Sequence, residues 1–187
     1  MRCTISTMRV FIAIDVEVNE RIHQLYQALS NTGAKLKMVE PENMHLTLKF
    51  LGEVDEQTVE RVKEQMRDAV ADISSYTAAL QGVGVFPGRQ HIKVVWIGFQ
   101  DRGETVALSK NIDEHLFTLG FKKERNFHPH VTIARMKSRE GKDEVIRVVE
   151  AHEHTEFGNV MCDRITLKQS VLTPKGPIYS DVEVVHL

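Results

Sequence analysis

Apolar residues take alternate positions in two distant stretches, Met44-His45-Leu46-Thr47-Leu48 and His130-Val131-Thr132-Ile133. That period of two is the mark of a half-buried strand, whose successive side chains face opposite sides. The rest of the chain arranges itself around these two strands. Val10 to Ile14 is a continuous branched and aromatic run, which predicts a buried, central strand. Asn19 is placed to cap a helix with the face Ile22, Leu25, Tyr26 and Leu29, and Gly33 follows as its terminator. Lys35 to Val39 predicts a short strand, and Pro41-Glu42-Asn43 turns the chain into the first alternating stretch. Gly52 is expected to close that strand before Asp55 starts a second helix, with Val59, Val62, Met66, Ala69 and Ile73 on its apolar face. Tyr76 to Gln81 reads weakly as a strand, Gly82 to Gly88 as a loop and Ile92 to Phe99 as a strand, with a turn at Asp101-Arg102-Gly103. A third helix follows with the stripe Leu108, Ile112, Leu116 and Leu119, ended by Gly120. Beyond the second alternating stretch come a helix containing Val145, Ile146, Val148 and Val149, then strands over 157–161, 165–172 and 178–185. Helices interspersed with paired strands, without strict alternation, predict an α+β domain with antiparallel sheets.

The two alternating stretches also share chemistry. Each reads His-x-Thr-x, and in each the His and Thr fall on the face opposite the apolar residues. One such strand occurs by chance and would more simply be a solvated face. Two copies in matching apolar frames favour function, because together they can present two imidazoles and two hydroxyls to one cleft. That set suits attack on a phosphodiester: one imidazole takes a proton from the nucleophile, the other gives one to the leaving oxygen, and the hydroxyls hold the phosphoryl oxygens. Imidazole titrates near neutrality, so both forms are accessible, and each transfer is typically worth about 10²- to 10⁴-fold in rate.

Length and charge narrow the setting. The chain has 187 residues, enough for one domain that buries roughly 70% of its unfolded surface. Lys and Arg total 24 against 26 Asp and Glu, a net charge of −2 that argues against a broad grip on long duplex nucleic acid. Cys3 and Cys162 are too few for a disulfide framework or a cysteine zinc site, and no apolar run is long enough to span a membrane. A cytoplasmic monomer without cofactor or obligate protein partner is the expectation. Met8 is a plausible alternative start, so the domain is taken as 8–187 and residues 1–7 as an extension of uncertain origin.

The paired motifs resemble those of the two-histidine phosphoesterase superfamily, in particular its RNA 2',3'-cyclic phosphodiesterase (2'-5' RNA ligase) branch. Similar segments run in the same order through nearly the whole chain: Phe11 to Asp15, Glu42 to Gly52, Gly82 to Pro87 and Leu172 to Tyr179. The resemblance implies two pseudo-symmetric lobes of antiparallel sheet with outer helices and an active-site cleft between them. It implies that His45 is the proton donor and His130 the proton acceptor, with Thr47 and Thr132 as oxyanion donors. It implies metal-free hydrolysis of RNA 2',3'-cyclic phosphate ends to 2'-phosphomonoesters. A 2'-5' RNA ligase or 2'-5' oligonucleotide phosphodiesterase, and a non-catalytic RNA-end binder, are the alternatives.

Phe50 and Arg135 each lie five residues after their motif histidine, and an aromatic face opposite a guanidinium plane can sandwich a nucleobase. The odd spacing puts both on the core face of an ideal strand, so the strands must end or bend first. For Phe50 the core reading weighs equally; for Arg135, whose charge is costly to bury, substrate binding is favoured. His128-x-His130 and His152-x-His154 have metal-ligand spacing but no Cys or carboxylate motif beside them, so no metal site is assigned. Gly82-Val83-Gly84-Val85-Phe86-Pro87-Gly88 fails as a dinucleotide-binding fingerprint, since a proline takes the third glycine's slot and a strand follows in place of a helix. Trp96, in an apolar strand, is expected in the core, and Lys122, Lys123 and Arg125 in a solvated loop.

Overall fold

The computed structural model describes residues 6–174 and 176–187. The chain runs β1 (Thr7–Asp15), α1 (Glu20–Ser30), β2 (Leu36–Met38), β3 (His45–Asp55), α2 (Glu56–Val70), β4 (Tyr76–Gly88), β5 (His91–Gln100), α3 (Glu104–Phe117), β6 (His130–Met136), α4 (Lys142–Ala151), β7 (Glu156–Cys162), β8 (Arg164–Thr173) and β9 (Gly176–His186). The strands form one antiparallel sheet in the order β7-β4-β5-β6-β3-β1-β8-β9, with β2 added to β6. The α+β architecture with helices outside a sheet of two halves is therefore as expected.

The sheet order is its own near-mirror about the β6–β3 junction. Four strands lie on each side, and each half presents one motif strand at the centre. A single residue pair, Leu46 opposite Val131, joins them. One face of the sheet carries the helices. Ile22, Leu25 and Leu29 of α1, Val62 and Met66 of α2, Leu108 and Ile112 of α3, and Val145 of α4 are essentially inaccessible. They meet Ile12, Leu46, Ile97 and Val131, the inward residues of the central strands. Burial of side chains of this size stabilises by roughly 1.5–3 kcal/mol each, which is why the apolar stripes decide where the helices dock. The opposite face is left for the cleft.

Local signals act as expected at several ends. Asn19 caps α1 by accepting from the Ile22 amide at 3.1 Å, while its own amide donates to the Phe157 carbonyl and ties α1 to β7. Asp55 likewise caps α2 through the Thr58 amide.

Two expectations about strands need correction. Gly52 does not end β3; with φ at +77° it sits in a bulge, and the strand continues to Asp55 opposite Thr7. Gly82 to Gly88 is no loop either. β4 runs through it, paired with β5, because Gly82 at φ +75° absorbs a register shift and Gly84 lets the Trp96 indole lie flat on the backbone. Glycines suggested chain reversal where the sheet uses them for bulges and close approach. Residues 1–5 of the expected extension, with Cys3, and Lys175, between the last two expected strands, lie outside the described residues, while Thr7 is the first residue of β1.

Candidate active site

His45, Thr47, His130 and Thr132 all line one cleft of about 1390 Å³. The β3–β6 junction explains why. Leu46 and Val131 point into the core from opposite strands. Their neighbours in sequence therefore point the other way, so that His45 faces Thr132 and Thr47 faces His130 across the join. Two His-Thr pairs that lie 85 residues apart in sequence thus surround one point of the sheet.

Each imidazole is held the same way. His45 Nδ1 lies 2.7 Å from the Asn43 carbonyl oxygen, and His130 Nδ1 lies 2.7 Å from the His128 carbonyl oxygen. A carbonyl can only accept, so Nδ1 carries the proton and Nε2 is left to take or give one. Rings wall in both. Phe11 at 4.9 Å and Tyr179 edge-on at 5.5 Å flank His45. Phe86 edge-on at 5.1 Å and Trp96 at 6.3 Å flank His130. Burial among these rings pushes both imidazoles below their ordinary range, partly offset at each by the carbonyl bond. The surrounding charges differ. Asp15, opposite His45 in the β1–β3 register, draws His45 back up against Lys168 and Arg135, whereas the Arg135 guanidinium lowers His130 with no carboxylate acting against it.

Phe50 and Arg135 also reach the cleft, and by the same device. On β3, Thr47 pairs with Ala13 but Lys49 with Ile12, so Leu48 is an extra residue. On β6, Thr132 pairs with Trp96 but Ala134 with Val95, so Ile133 is extra. A bulge puts two successive residues on the buried side, Leu48-Lys49 and Ile133-Ala134, and the next residue is turned outward. Phe50 is accordingly 65% exposed and not a core residue. The bend that the odd spacing demanded is present in both strands.

Trp96 departs from expectation. It is half-buried against Phe86, His128 and His130 on the cleft side, not in the apolar core, because it alternates with the buried Val95 and Ile97 along β5. Phe11, Phe86 and Tyr179 were missed as site residues. Each sits in a strand that reads as ordinary β structure, and only pairing brings it to a histidine. Lys122, Lys123 and Arg125 do not line the cleft, although Glu124, Asn126 and Phe127 of the same segment do.

Comparison with known proteins bears on this geometry. The chain matches the family described as LigT like Phosphoesterase over residues 12–96 and 100–179, one motif in each segment. The chain belongs to this family. An RNA 2',3'-cyclic phosphodiesterase of Methanothermobacter thermautotrophicus is 35% identical over 96% of this chain and 99% of its own length. One of Methanocaldococcus jannaschii is 40% identical over 94% and 99%. Among solved structures, TT0787 of Thermus thermophilus superposes with a TM-score of 0.78 at 26% identity, covering 96% of this chain and 98% of that one. Escherichia coli LigT complexed with 3'-AMP shares the fold at a TM-score of 0.71 and 22% identity, covering 97% and 99%. The protein is a LigT-like phosphoesterase. Among its described residues no helix is long and apolar enough to cross a membrane.

Proposed function

We propose that this phosphoesterase hydrolyses RNA ends bearing a 2',3'-cyclic phosphate to 2'-phosphomonoesters by two-histidine acid-base catalysis without a metal. The observation that carries the reading is the pair of carbonyl-fixed imidazoles, each with Nε2 free, set beside two threonine hydroxyls at one junction of the sheet. His130 Nε2 takes a proton from water as its oxygen attacks phosphorus. The bond from phosphorus to O3' breaks, and His45 Nε2–H gives its proton to O3'. The product has a 3'-hydroxyl and a 2'-phosphate; the two imidazoles exchange protonation states and reset through solvent. Thr47 and Thr132 donate to the non-bridging oxygens as charge builds on them. Phe50 and Arg135 hold the terminal base between ring and guanidinium.

The division of labour has electrostatic support. The Asp15 carboxylate favours the protonated form of His45, the acid, against Lys168 and Arg135, and the Arg135 guanidinium favours the neutral form of His130, the base. The names of the relatives supply the substrate class. The decisive assay offers purified protein an RNA with a cyclic phosphate end, alongside a 2'-5'-linked RNA, and identifies the product isomer. A 2'-phosphate from the first is expected. A 3'-phosphate would overturn the choice of O3' as leaving group, and turnover of the 2'-5' linkage alone would move the substrate to that bond.

A further inference from the structure

The cleft does not end at the histidines. β2 and β6 pair with Lys37 directly opposite Arg135. Lys37, Arg135 and, two residues along, Lys137 all line the cleft. Like charges directly opposite weaken a strand pair, so this ladder costs the fold something where the sheet faces open space. Lys35, the remaining cation of the ladder, is neutralised by Glu140 at 3.1 Å. Among the described residues no carboxylate lies within 4.0 Å of the other three, and Glu40, Glu42 and Glu124, which line the same cleft, do not reach them. The Lys37 ammonium stands beside Gly176 at the tip of the β8–β9 hairpin, 3.4 Å from where a Cβ on that glycine would be. The cations thus mark the place where the cleft runs on between β2 and the hairpin. Its volume of about 1390 Å³ exceeds the roughly 300–1,000 Å³ that takes a drug-sized ligand, so the cleft has room for more than a single nucleotide.

We infer that Lys37 and Lys137, on either side of Arg135, form a second phosphate subsite that binds the phosphodiester on the 5' side of the terminal nucleotide. The substrate is then an oligonucleotide end and not a cyclic mononucleotide. This rests on the proposed function, and it makes the internucleotide charge a determinant of specificity in its own right.

The test compares three substrates: a nucleoside 2',3'-cyclic phosphate, a dinucleotide ending in the same group, and that dinucleotide with an uncharged methylphosphonate linkage. The dinucleotide is expected to exceed the mononucleotide in kcat/KM by roughly tenfold at low salt, and the methylphosphonate to lose most of that gain. The double variant K37Q/K137Q should bring the dinucleotide-to-mononucleotide ratio down roughly three- to tenfold, towards one. The salt dependence of dinucleotide binding should weaken by about 0.7 in log-log slope for each phosphate that is no longer neutralised. Equal rates on all three substrates, or a ratio unchanged in K37Q/K137Q, would overturn the subsite. Failure of the wild-type protein to turn over any cyclic phosphate would instead overturn the enzymatic reading. In that event, direct binding of the 2'-phosphorylated dinucleotide and its methylphosphonate counterpart decides the subsite alone, with equal affinities counting against it.

Discussion

At the scale of single residues, the two histidines are alike in their carbonyl bonds and differ in their charged neighbours. Both sit below the ordinary imidazole value of about 6.5, chiefly through burial. In the proposed mechanism the acid, His45, works only while protonated, so rate is lost as pH rises through its value; the proposed base, His130, works only while neutral, so rate is lost as pH falls through its value. With both values lowered, the kcat/KM bell of the free enzyme should peak below about pH 6.5. A bound phosphate anion favours imidazolium, so the kcat profile should sit at higher pH than that of kcat/KM. Coincident profiles peaking above neutrality would contradict this account. His45→Ala should remove the alkaline limb and His130→Ala the acidic limb, each lowering turnover by about two orders of magnitude or more with melting temperature little changed. A substrate with sulfur in place of the 3' oxygen expels a thiolate that needs no proton. His45→Ala should regain much of its lost rate on that substrate and His130→Ala should not; the reverse pattern would exchange the roles.

At the scale of elements, two bulges do what no ideal strand can. They keep His and Thr on the cleft face and bring Phe50 and Arg135 to the same side three residues after the threonine. If Arg135 binds the base, Arg135→Ala should raise KM with a smaller effect on kcat, as saturation kinetics would record; an unchanged KM would remove it from the binding site. The β4–β5 pair supports the His130 side in a different way. A Cβ on Gly84 would stand 2.2 Å from the Trp96 ring, which is confined by Phe86, His128 and His130. Gly84→Ala should therefore displace the indole and lower kcat, with a measurable change in Trp96 fluorescence, the sequence having one tryptophan. Normal fluorescence and kcat in that variant would show that the wall around His130 is not needed.

At the scale of the whole molecule, the two halves of the sheet are paired through one residue pair, and a buried ion pair reinforces that join. Lys49, turned inward by the β3 bulge, places its ammonium 2.5 Å from Asp113 of α3, and both side chains are more than 90% buried. The same ammonium donates to the Lys122 carbonyl, and Asp113 accepts from the Glu124 amide. The pair thus fixes the segment that enters β6 to the strand that carries His45. Removing one partner leaves a buried charge alone, so Lys49→Ala should cost about 3–5 kcal/mol, read by urea unfolding. Lys49→Met with Asp113→Leu should recover most of that loss. A loss below about 1 kcal/mol for Lys49→Ala would mean the pair is effectively solvated.

The sequence by itself determined the helices, most of the strands and the four residues at the junction, because each depends on local information. Helix faces and strand faces follow from period, caps from single side chains, and the two His-x-Thr-x copies from repetition. Family membership followed from those same residues. Tertiary structure decided what depends on pairing. Whether Gly52 and Gly82 to Gly88 break a strand or bend it is set by the neighbouring strand, and neither partner of a bulge is visible along the chain. Trp96 read locally as a core aromatic, and Lys49 follows Leu48 where strict alternation puts a side chain on the cleft face. The β3 bulge turned Lys49 into the interior, since every side chain beyond a bulge changes face, and the pairing of β5 with β4 and β6 set Trp96 against the rings beside His130. The Lys37–Arg135 pair is likewise a fact of register: those residues stand 98 apart in the sequence and opposite one another in the sheet.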